Sequence, residues 1–506
     1  MQNETGGPQS LLQPAFKLAS MALVVAGAGV GARLIGIAPT GLAQVSVCTF
    51  VGVICTTLFF WPHRVSVAFI GVAILIGTQT MTLRGMLQAT ELDIIFFLIG
   101  MMIIVGALKD LGFLTWVIQG IINQRRMTGP MFVFILCFLS AILSSVVGEV
   151  SSIVVVLALV FQVCETLKVR AVPFVLMSVL CTNIGSAATM LGNPVGIFIG
   201  NKAGFTFGQF ILGATPIAVV SLLVTMAVLL VWYRKAVQEM TEQMDLHRVS
   251  NQGLGPLIRI PHRRGLFVLI ATVSIIAFHH QIESALGLTG VDNKNAFLIV
   301  TPLVIAGILM MYRPQRARHY VEHDVEWWTL IFFMLLFAVA GSMEEQHVTK
   351  NMADQLAGFV KGGPKAMVPF VLLISSVGSA FVDNIVFVAA FTPVIQALVE
   401  RSAEYSVLWW TLLFGACFGG NITAVGSTAN IIALGFLEKR AHAHIAFLEW
   451  LKIGAIVGLV TALVAWGMLL ILPVQLPAAR QGIKAKSESV QEMPLHEPIL
   501  SPQGIK

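Results

Sequence analysis

Long apolar runs separated by short polar connections dominate the chain. The single runs cover 17–36, 41–61, 65–80, 93–110, 172–200, 207–232, 265–280, 295–312, 326–343, 404–435 and 446–473. About 20 apolar residues in a helix cross the roughly 30 Å hydrocarbon layer of a membrane. The runs lack the residue-by-residue alternation of a membrane β-barrel. The pattern therefore predicts an all-α polytopic membrane protein with about 11 transmembrane helices.

Two longer apolar pieces, 130–168 and 364–400, are each interrupted near the middle by small and polar residues. The first interruption contains Glu149 and the second contains Asp383. An apolar segment that breaks halfway and returns is typical of a helical hairpin that enters and leaves on one side. We predict two re-entrant hairpins with one carboxylate at each tip.

The chain is also an internal duplication. Similar residues recur 234 to 240 positions apart along the chain. The pairs are Glu149 with Asp383, Gly192 with Gly426, Gly106 with Gly341 and Phe207 with Phe447. Each copy contains five crossings and one hairpin. Since five is odd, the second copy must lie inverted in the membrane relative to the first.

This duplication divides the chain into five parts. The predicted parts are an N-terminal segment with an extra helix (1–36), a first inverted repeat (37–232, with hairpin 130–168 and broken helix 172–200), a cytoplasmic linker (233–264), a second inverted repeat (265–473, with hairpin 364–400 and broken helix 404–435) and a polar tail (474–506).

Composition and charge agree with a membrane protein. Hydrophobic residues make up 57% of the chain and charged residues 11%, whereas soluble domains carry roughly 25% charged residues. With the N-terminus inside, nineteen Lys and Arg residues, Arg64 among them, fall in cytoplasmic loops and eight fall outside. We expect an integral protein of the cell inner (plasma) membrane with a cytoplasmic N-terminus and an external C-terminus. The net charge of +6 then needs no nucleic-acid partner.

An ionisable side chain in a hydrocarbon layer is costly and marks an ion path or a protein interior. Inverted repeats place the substrate site near the midplane, where broken helices from both halves meet. Glycine permits the unwound backbone, and hydroxyl and amide groups replace the hydrogen bonds that unwinding frees. The predicted ion- or substrate-binding residues are Glu149, Asp383, Asn384, Thr189, Gly192, Asn193, Ser427, Thr428, Asn430, Ser151, Gly426 and Asn421.

Two classes of transported ion fit this set of residues. Sodium prefers carboxylate, carbonyl and hydroxyl oxygens, and the predicted sodium ligands are Asp383, Asn384, Ser427 and Thr428. A proton can occupy the same carboxylate, which is the minimum requirement for antiport. An anion such as arsenite, citrate or another carboxylate would rely on helix N-termini and side-chain donors, since the four breaks carry no Lys or Arg.

These breaks resemble those of the arsenite-permease and sodium/proton-antiporter (ArsB/NhaD) family. The segments that carry the resemblance, within roughly residues 20–473, are 183–189, 192–194, 382–384 and 426–430. The family groups with citrate-transporter-like permeases in the ion transporter superfamily and resembles the melanosomal P protein. The resemblance implies scaffold and transport parts in each half and frequent homodimers. The chain departs from the family at Gly148-Glu149, where relatives commonly carry an Asp-Asn pair.

Other functional classes receive less support from the sequence. A channel would not require paired hairpins or inversion, and an intramembrane aspartyl-type enzyme would need the two acids within hydrogen-bonding distance. No nucleotide-binding loop or His-Glu-x-x-His metal helix is present, so we expect a non-enzymatic transporter without a cofactor, driven by a sodium or proton gradient. The pair His279-His280 is expected to be solvated at a helix end.

Overall fold

The computed structural model of the protein describes residues 8–122, 127–249, 262–285, 296–360, 363–441 and 443–471. All regular secondary structure in these ranges is helical, so the all-α prediction is confirmed. The polar tail predicted at 474–506, and residues 250–261 of the predicted linker, lie outside the described residues.

The N-terminal helix and the first repeat contain eleven α-helices in the described residues. These are α1 (Pro8–Leu34), α2 (Gly41–Phe59), α3 (Arg64–Gly77), α4 (Leu83–Ala89), α5 (Leu92–Asp110), α6 (Phe113–Ile122), α7 (Gly129–Val147), α8 (Glu149–Leu167), α9 (Val172–Ser186), α10 (Pro194–Ala203) and α11 (Phe207–Trp232).

The linker and the second repeat follow the same order. Their helices are α12 (Arg234–Val249), α13 (Arg263–Ala277), α14 (His279–Ala285), α15 (Ala296–Tyr312), α16 (Pro314–His319), α17 (Trp327–Glu345), α18 (Val348–Phe359), α19 (Gly363–Phe381), α20 (Asn384–Arg401), α21 (Val407–Gly419), α22 (Thr428–Phe436) and α23 (Phe447–Ile471).

Ten of the helices in the described ranges are long and apolar enough to cross a membrane. The number rises to eleven if α13 and α14, which meet at 61°, form one bent span. The expected number of spans is thus confirmed.

Contacts between the repeats show that their central helices run in opposite directions. At the C-terminal end of α5, Lys109 lies 3.8 Å from Asp324, which precedes α17. At the other end, Gln346, which follows α17, donates to the carbonyl of Thr80, between α3 and α4, at 2.7 Å. Glu91, which directly precedes α5, lines the same cavity as Glu344 in the last turn of α17. Helices α5 and α17 are therefore antiparallel, as an inverted repeat requires. We call the end of the bundle at Lys109 the first face and the end at Gln346 the second face.

The hairpins begin from opposite faces. Hairpin 1 (α7 and α8) follows α5 and α6 at the first face, and hairpin 2 (α19 and α20) follows α17 and α18 at the second. The last residue of hairpin 2, Arg401, forms an ion pair with Asp354 of α18. Helix α5 packs on α15, and α17 packs on α3 and α4, so each repeat completes the layer of the other. The hairpins pack on α9 and α21.

Two glycines allow α9 and α21 to cross the hairpins at close range. A Cβ at Gly185 would lie 2.3 Å from the Cα of Ala141 in hairpin 1. A Cβ at Gly419 would lie 2.5 Å from the Cα of Ser376 in hairpin 2. The duplication thus repeats the helix crossing as well as the carboxylates.

The predicted linker 233–264 contains a helix, α12, which its polar composition does not predict. Val237, Met240 and Met244 of α12 are buried, and α12 packs on α7 and α8. Thr241 also accepts a hydrogen bond from the backbone N–H of Gly129 at 3.0 Å, at the base of hairpin 1. The linker helix therefore supports hairpin 1 as well as joining the repeats.

The prediction of a solvated His279-His280 pair is wrong for His279. His279 is fully buried, and its Nδ1 lies 2.8 Å from the carbonyl oxygen of Ile276. The 61° bend between α13 and α14 lies at this position and places the ring inside the bundle. His280 is exposed, 4.0 Å from Glu283.

Candidate functional site

Glu149 begins α8 at the tip of hairpin 1. Gly148 precedes it with φ of 94°, a conformation that favours glycine. The Glu149 backbone N–H donates to the carbonyl of Gly192 in the break between α9 and α10, at 2.9 Å. Its side chain is 7% exposed, and Oε2 has no hydrogen-bond partner among the described residues. A buried carboxylate oxygen without a partner is available to a proton or a cation.

Asp383 occupies the equivalent tip of hairpin 2 and caps α20. Its Oδ1 accepts a hydrogen bond from the Ile385 N–H at 3.2 Å, and its Oδ2 accepts from the Thr428 hydroxyl at 2.7 Å. Asn384 is oriented with its amide nitrogen 2.7 Å from both the Ser379 hydroxyl and the Gly426 carbonyl. Asp383 and Asn384 thus both connect the tip of hairpin 2 to the break between α21 and α22.

Thr189 and Thr423 are structurally equivalent, as the duplication predicts. The Thr189 hydroxyl donates to the carbonyl of Ser145 in hairpin 1, and the Thr423 hydroxyl donates to the carbonyl of Ala380 in hairpin 2. Each hydroxyl also accepts a backbone N–H two residues further on. The pair fixes each hairpin tip against the break of its own repeat.

Asn193 and Ser427 cap the second halves of the two broken helices. Asn193 accepts from the Gly196 N–H at 2.7 Å, and Ser427 accepts from the Ala429 N–H at 3.2 Å. Side-chain caps of this kind satisfy backbone donors that water cannot reach in a membrane. Asn193 also donates to the Ser186 hydroxyl at 2.8 Å.

Asn183, which sequence reasoning did not include in the site, joins the two breaks. Its amide nitrogen donates to Asn421 at 2.8 Å and to Asn430 at 2.9 Å, and its Oδ1 accepts from the Ser427 hydroxyl at 3.0 Å. All four residues are fully buried. Three of the predicted ligands therefore belong to one amide network between the repeats.

Replacing Asn183 with Leu should destabilise the protein strongly. The change leaves three buried polar groups without their partner, at about 1–3 kcal/mol each. Thermal unfolding in detergent should show a midpoint well below that of the wild type. Asn351→Leu, which removes one hydrogen bond to the Ile37 carbonyl at a half-buried position, is the control. Equal midpoints for the two variants would contradict this role of Asn183.

The remaining predicted residues also lie at the breaks. Ser151 is half-buried in the first turn of α8. Of the predicted sodium ligands, Asp383 and Thr428 are in direct contact, whereas the Ser427 hydroxyl points to Asn183. The described residues contain no cluster of three or more His, Cys, Asp or Glu that could hold a metal ion. Ion binding by these residues stays a prediction.

Arg64 is the main site residue that the sequence interpretation misplaced. The charge pattern predicts that it lies in a cytoplasmic loop, whereas it begins α3 and is 6% exposed. Its charge interacts with Asp383 and with Glu326. A basic residue in the first turn of a helix opposes the helix dipole, and this mismatch is the signal in the sequence that could have identified it.

Glu326 precedes α17 on the same side of the site. Its carboxylate accepts a hydrogen bond from the Thr329 hydroxyl at 3.4 Å, and the charges of Lys109 and Arg64 act on it. Asp383 and Glu149 also interact electrostatically, and Glu326 acts on Glu149. The carboxylates of both hairpins therefore lie in one electrostatic cluster with a buried arginine.

A cavity of about 530 Å³ lies near the second face, and Ala389 of hairpin 2, six residues after Asp383, is among its lining residues. Its outer part includes Glu91, Lys202 and Glu344, and Glu91 forms an ion pair with Lys202. Its inner part includes Phe198 and Phe337, whose rings stack with centroids 4.9 Å apart. The stacked rings lie between α10 and α17, at the inner end of the cavity.

Comparison with known proteins identifies the family to which the chain belongs. The sequence model of the family described as "Citrate transporter" matches residues 53–415 and 343–490. An uncharacterized transporter of Mycobacterium tuberculosis is 30% identical over 414 residues, which cover 80% of this chain and 92% of the relative. The P protein of Homo sapiens is 24% identical over 488 residues, which cover 81% and 58% of the two chains. The solved YdaH transporter of Alcanivorax borkumensis is 13% identical, with a TM-score of 0.46 over 74% of this chain and 84% of that one. The expected resemblance to citrate-transporter-like permeases is confirmed.

Proposed function

Because the chain belongs to the citrate transporter family and is an integral membrane transporter, we propose that it moves a small ion by alternating access, coupled to a proton or sodium gradient, most simply as a cation/proton antiporter. The observation that carries this proposal is the pair of buried carboxylates at the tips of opposed hairpins. Asp383 would be the principal coupling group and Glu149 a second titrating group. The N-terminus would be cytoplasmic, which places the first face inside the cell.

The surroundings of the two acids support cation or proton binding. Asp383 presents its oxygens to the Thr428 hydroxyl and the Ile385 N–H, and Glu149 has an oxygen without a partner. Hydroxyl and carboxylate oxygens suit sodium, and the same carboxylates can hold protons. No hydrogen bond joins Glu149 and Asp383 among the described residues, so the two acids do not form an aspartyl pair around one shared proton. The arrangement therefore favours transport over intramembrane hydrolysis.

A second candidate function is a permease for arsenite, citrate or another carboxylate. The buried guanidinium of Arg64, which interacts electrostatically with Asp383 at the tip of hairpin 2, favours it, since arginine is well suited to bind carboxylates. The family description points to the same substrate class. In this case the acids would bind the coupling cation and Arg64 would contact the anion.

Transport in proteoliposomes separates the two candidates. Purified protein would be reconstituted, and uptake of sodium, protons, arsenite and citrate measured under imposed pH and sodium gradients. Sodium flux that saturates and exchanges for protons supports antiport. Citrate or arsenite uptake driven by either gradient supports the permease. Flux that neither saturates nor responds to a counter-ion gradient would indicate a channel instead.

Glu149→Gln should lower the number of ions exchanged in each cycle. Glutamine keeps the size of the side chain but cannot titrate, so only Asp383 would couple the two fluxes. We expect the ratio of protons to sodium to fall, because one of the two carboxylates that can carry a proton has been removed. Glu165→Gln, at the exposed far end of α8, should leave the ratio unchanged. An unchanged ratio in Glu149→Gln would assign Glu149 a structural role.

A further inference from the structure

Arg64 is a buried cation without an ion pair among the described residues. Its side chain is 6% exposed, and its Nε has no hydrogen-bond partner there. Its Nη2 donates to the Thr329 hydroxyl at 3.3 Å, and that hydroxyl donates to Glu326 at 3.4 Å. A buried charge without a directly bonded counter-charge is costly, so its presence requires an explanation beyond packing.

The guanidinium is held by the layer that the two repeats build together. It lies 3.9 Å from the ring centroid of Trp61 and 5.5 Å from that of Phe332. Cation–π contacts of this kind fix the position of a guanidinium without neutralising its charge. Trp61 and Arg64 belong to the first repeat and Phe332 to the second. The charge is thus anchored outside both hairpins.

The positions of the helices place Asp383 at about the same depth in the bundle as Arg64. Helices α17 and α20 both run towards the second face, and Phe337 and Ala389 line the same cavity. Ile331 lies six residues before Phe337, and Asp383 lies six residues before Ala389. Ile331 is next to Phe332, whose ring lies near the Arg64 guanidinium. Asp383 is therefore at a similar depth in the bundle to Arg64. The electrostatic interaction between Arg64 and Asp383 agrees with this placement. Hairpin 2 therefore presents its carboxylate to a fixed positive charge.

We propose that Arg64 is the fixed counter-charge that retains hairpin 2 whenever Asp383 is ionised and carries no cation. A proton or sodium ion on Asp383 cancels the attraction and frees the hairpin to move. The Thr329–Glu326 pair then remains as the acceptor for the guanidinium. This role rests on the proposed cation/proton antiport. Its consequence is obligatory exchange, because the loaded carrier crosses and the empty one does not.

The test compares exchange with uncoupled flux in proteoliposomes. Exchange is measured as sodium uptake against internal protons. Uncoupled flux is measured as sodium uptake driven by membrane potential alone, in symmetrical high-pH buffer where few protons are available. Arg64→Gln should retain exchange within a few-fold and raise uncoupled flux at least tenfold, because the empty carrier can now return. Arg64→Lys keeps the charge and should restore coupling.

Controls separate this role from a structural one. Arg318→Gln removes an exposed arginine in α16, far from hairpin 2 in sequence, and should leave both fluxes unchanged. Arg64→Met is a second neutral variant of similar length, and it replaces Arg64→Gln if the glutamine leaves the protein misfolded. A purely structural arginine would lower both fluxes together and would leave their ratio unchanged.

Three results would overturn the inference. Wild-type coupling in a folded neutral variant would show that Arg64 does not retain hairpin 2. A raised KM for citrate or arsenite in both Arg64→Gln and Arg64→Lys, with coupling intact, would assign Arg64 to anion binding. Absence of any sodium–proton exchange in the wild type would overturn the proposed antiport itself, and this outcome is recognisable without any Arg64 variant.

Discussion

Asp383→Asn is expected to abolish coupled flux while the protein stays folded in the membrane. Asparagine has the same shape and caps helices as well as aspartate does, so α20 should still begin at this position. It cannot ionise, so it can neither release a proton nor exchange it for sodium. We expect exchange in proteoliposomes to fall at least about 100-fold, in the range typical for loss of an essential acid–base group.

Folding of this variant can be checked independently. The new Asn can keep its Oδ1 on the Ile385 N–H and donate its amide N–H to the Thr428 hydroxyl, but that hydroxyl then loses the acceptor for its own hydrogen, which costs about 1–3 kcal/mol. The thermal midpoint in detergent should therefore fall modestly, and the elution volume on size exclusion should not change. Asp354→Asn, in the same repeat at the exposed base of hairpin 2, is the matched control and should keep its transport. Transport by Asp383→Asn at the wild-type rate would contradict the coupling role.

Much of the site was predictable because the duplication aligns each break with its partner. The shift that relates Gly192 to Gly426 also relates Thr189 to Thr423, and these two threonines make equivalent hydrogen bonds to the hairpin tips. Within each repeat, the hairpin and the broken helix are separated by short stretches of chain. Local pattern and repetition are therefore enough to bring these residues together.

The contacts between the repeats could not be predicted in the same way. Asn183 bonds residues about 240 positions away, and Arg64 bonds Thr329 of α17. No periodicity within one repeat indicates which residue of the other repeat it will contact. The positive-inside rule also predicts only the side of the membrane on which a basic residue lies. It does not tell whether a residue such as Arg64, near a helix end, is solvated or buried. With Arg64 removed from that count, eighteen Lys and Arg residues still oppose eight, so the expected orientation does not depend on it.

The burial of His279 and the helix in the linker have related causes. The bend between α13 and α14 places His279 inside the bundle, and the sequence there contains no proline or glycine that would indicate a break. Helix α12 is polar on most of its surface, and only a narrow row of apolar residues packs on hairpin 1. Both features depend on tertiary contacts that override local composition.

Gly192 connects hairpin 1 to the break between α9 and α10. A Cβ at this position would lie 2.2 Å from the carbonyl oxygen of Ser186 and 2.7 Å from its Cα, which are both backbone atoms. The carbonyl of Gly192 also accepts the N–H of Glu149. Any shift that relieves the clash must therefore move the tip that carries the carboxylate.

We expect Gly192→Ala to reduce exchange at least about tenfold and to lower stability by about 1–3 kcal/mol or more, the usual range for overpacking. Gly208→Ala is the matched control, because a Cβ at Gly208, in the first turn of α11, meets no atom within 4 Å. Its stability should be unchanged or slightly raised, since alanine is favoured over glycine in a helix. The two variants would be compared by thermal unfolding in detergent and by sodium–proton exchange in proteoliposomes. Wild-type exchange by Gly192→Ala would show that the position of the hairpin 1 tip does not control transport.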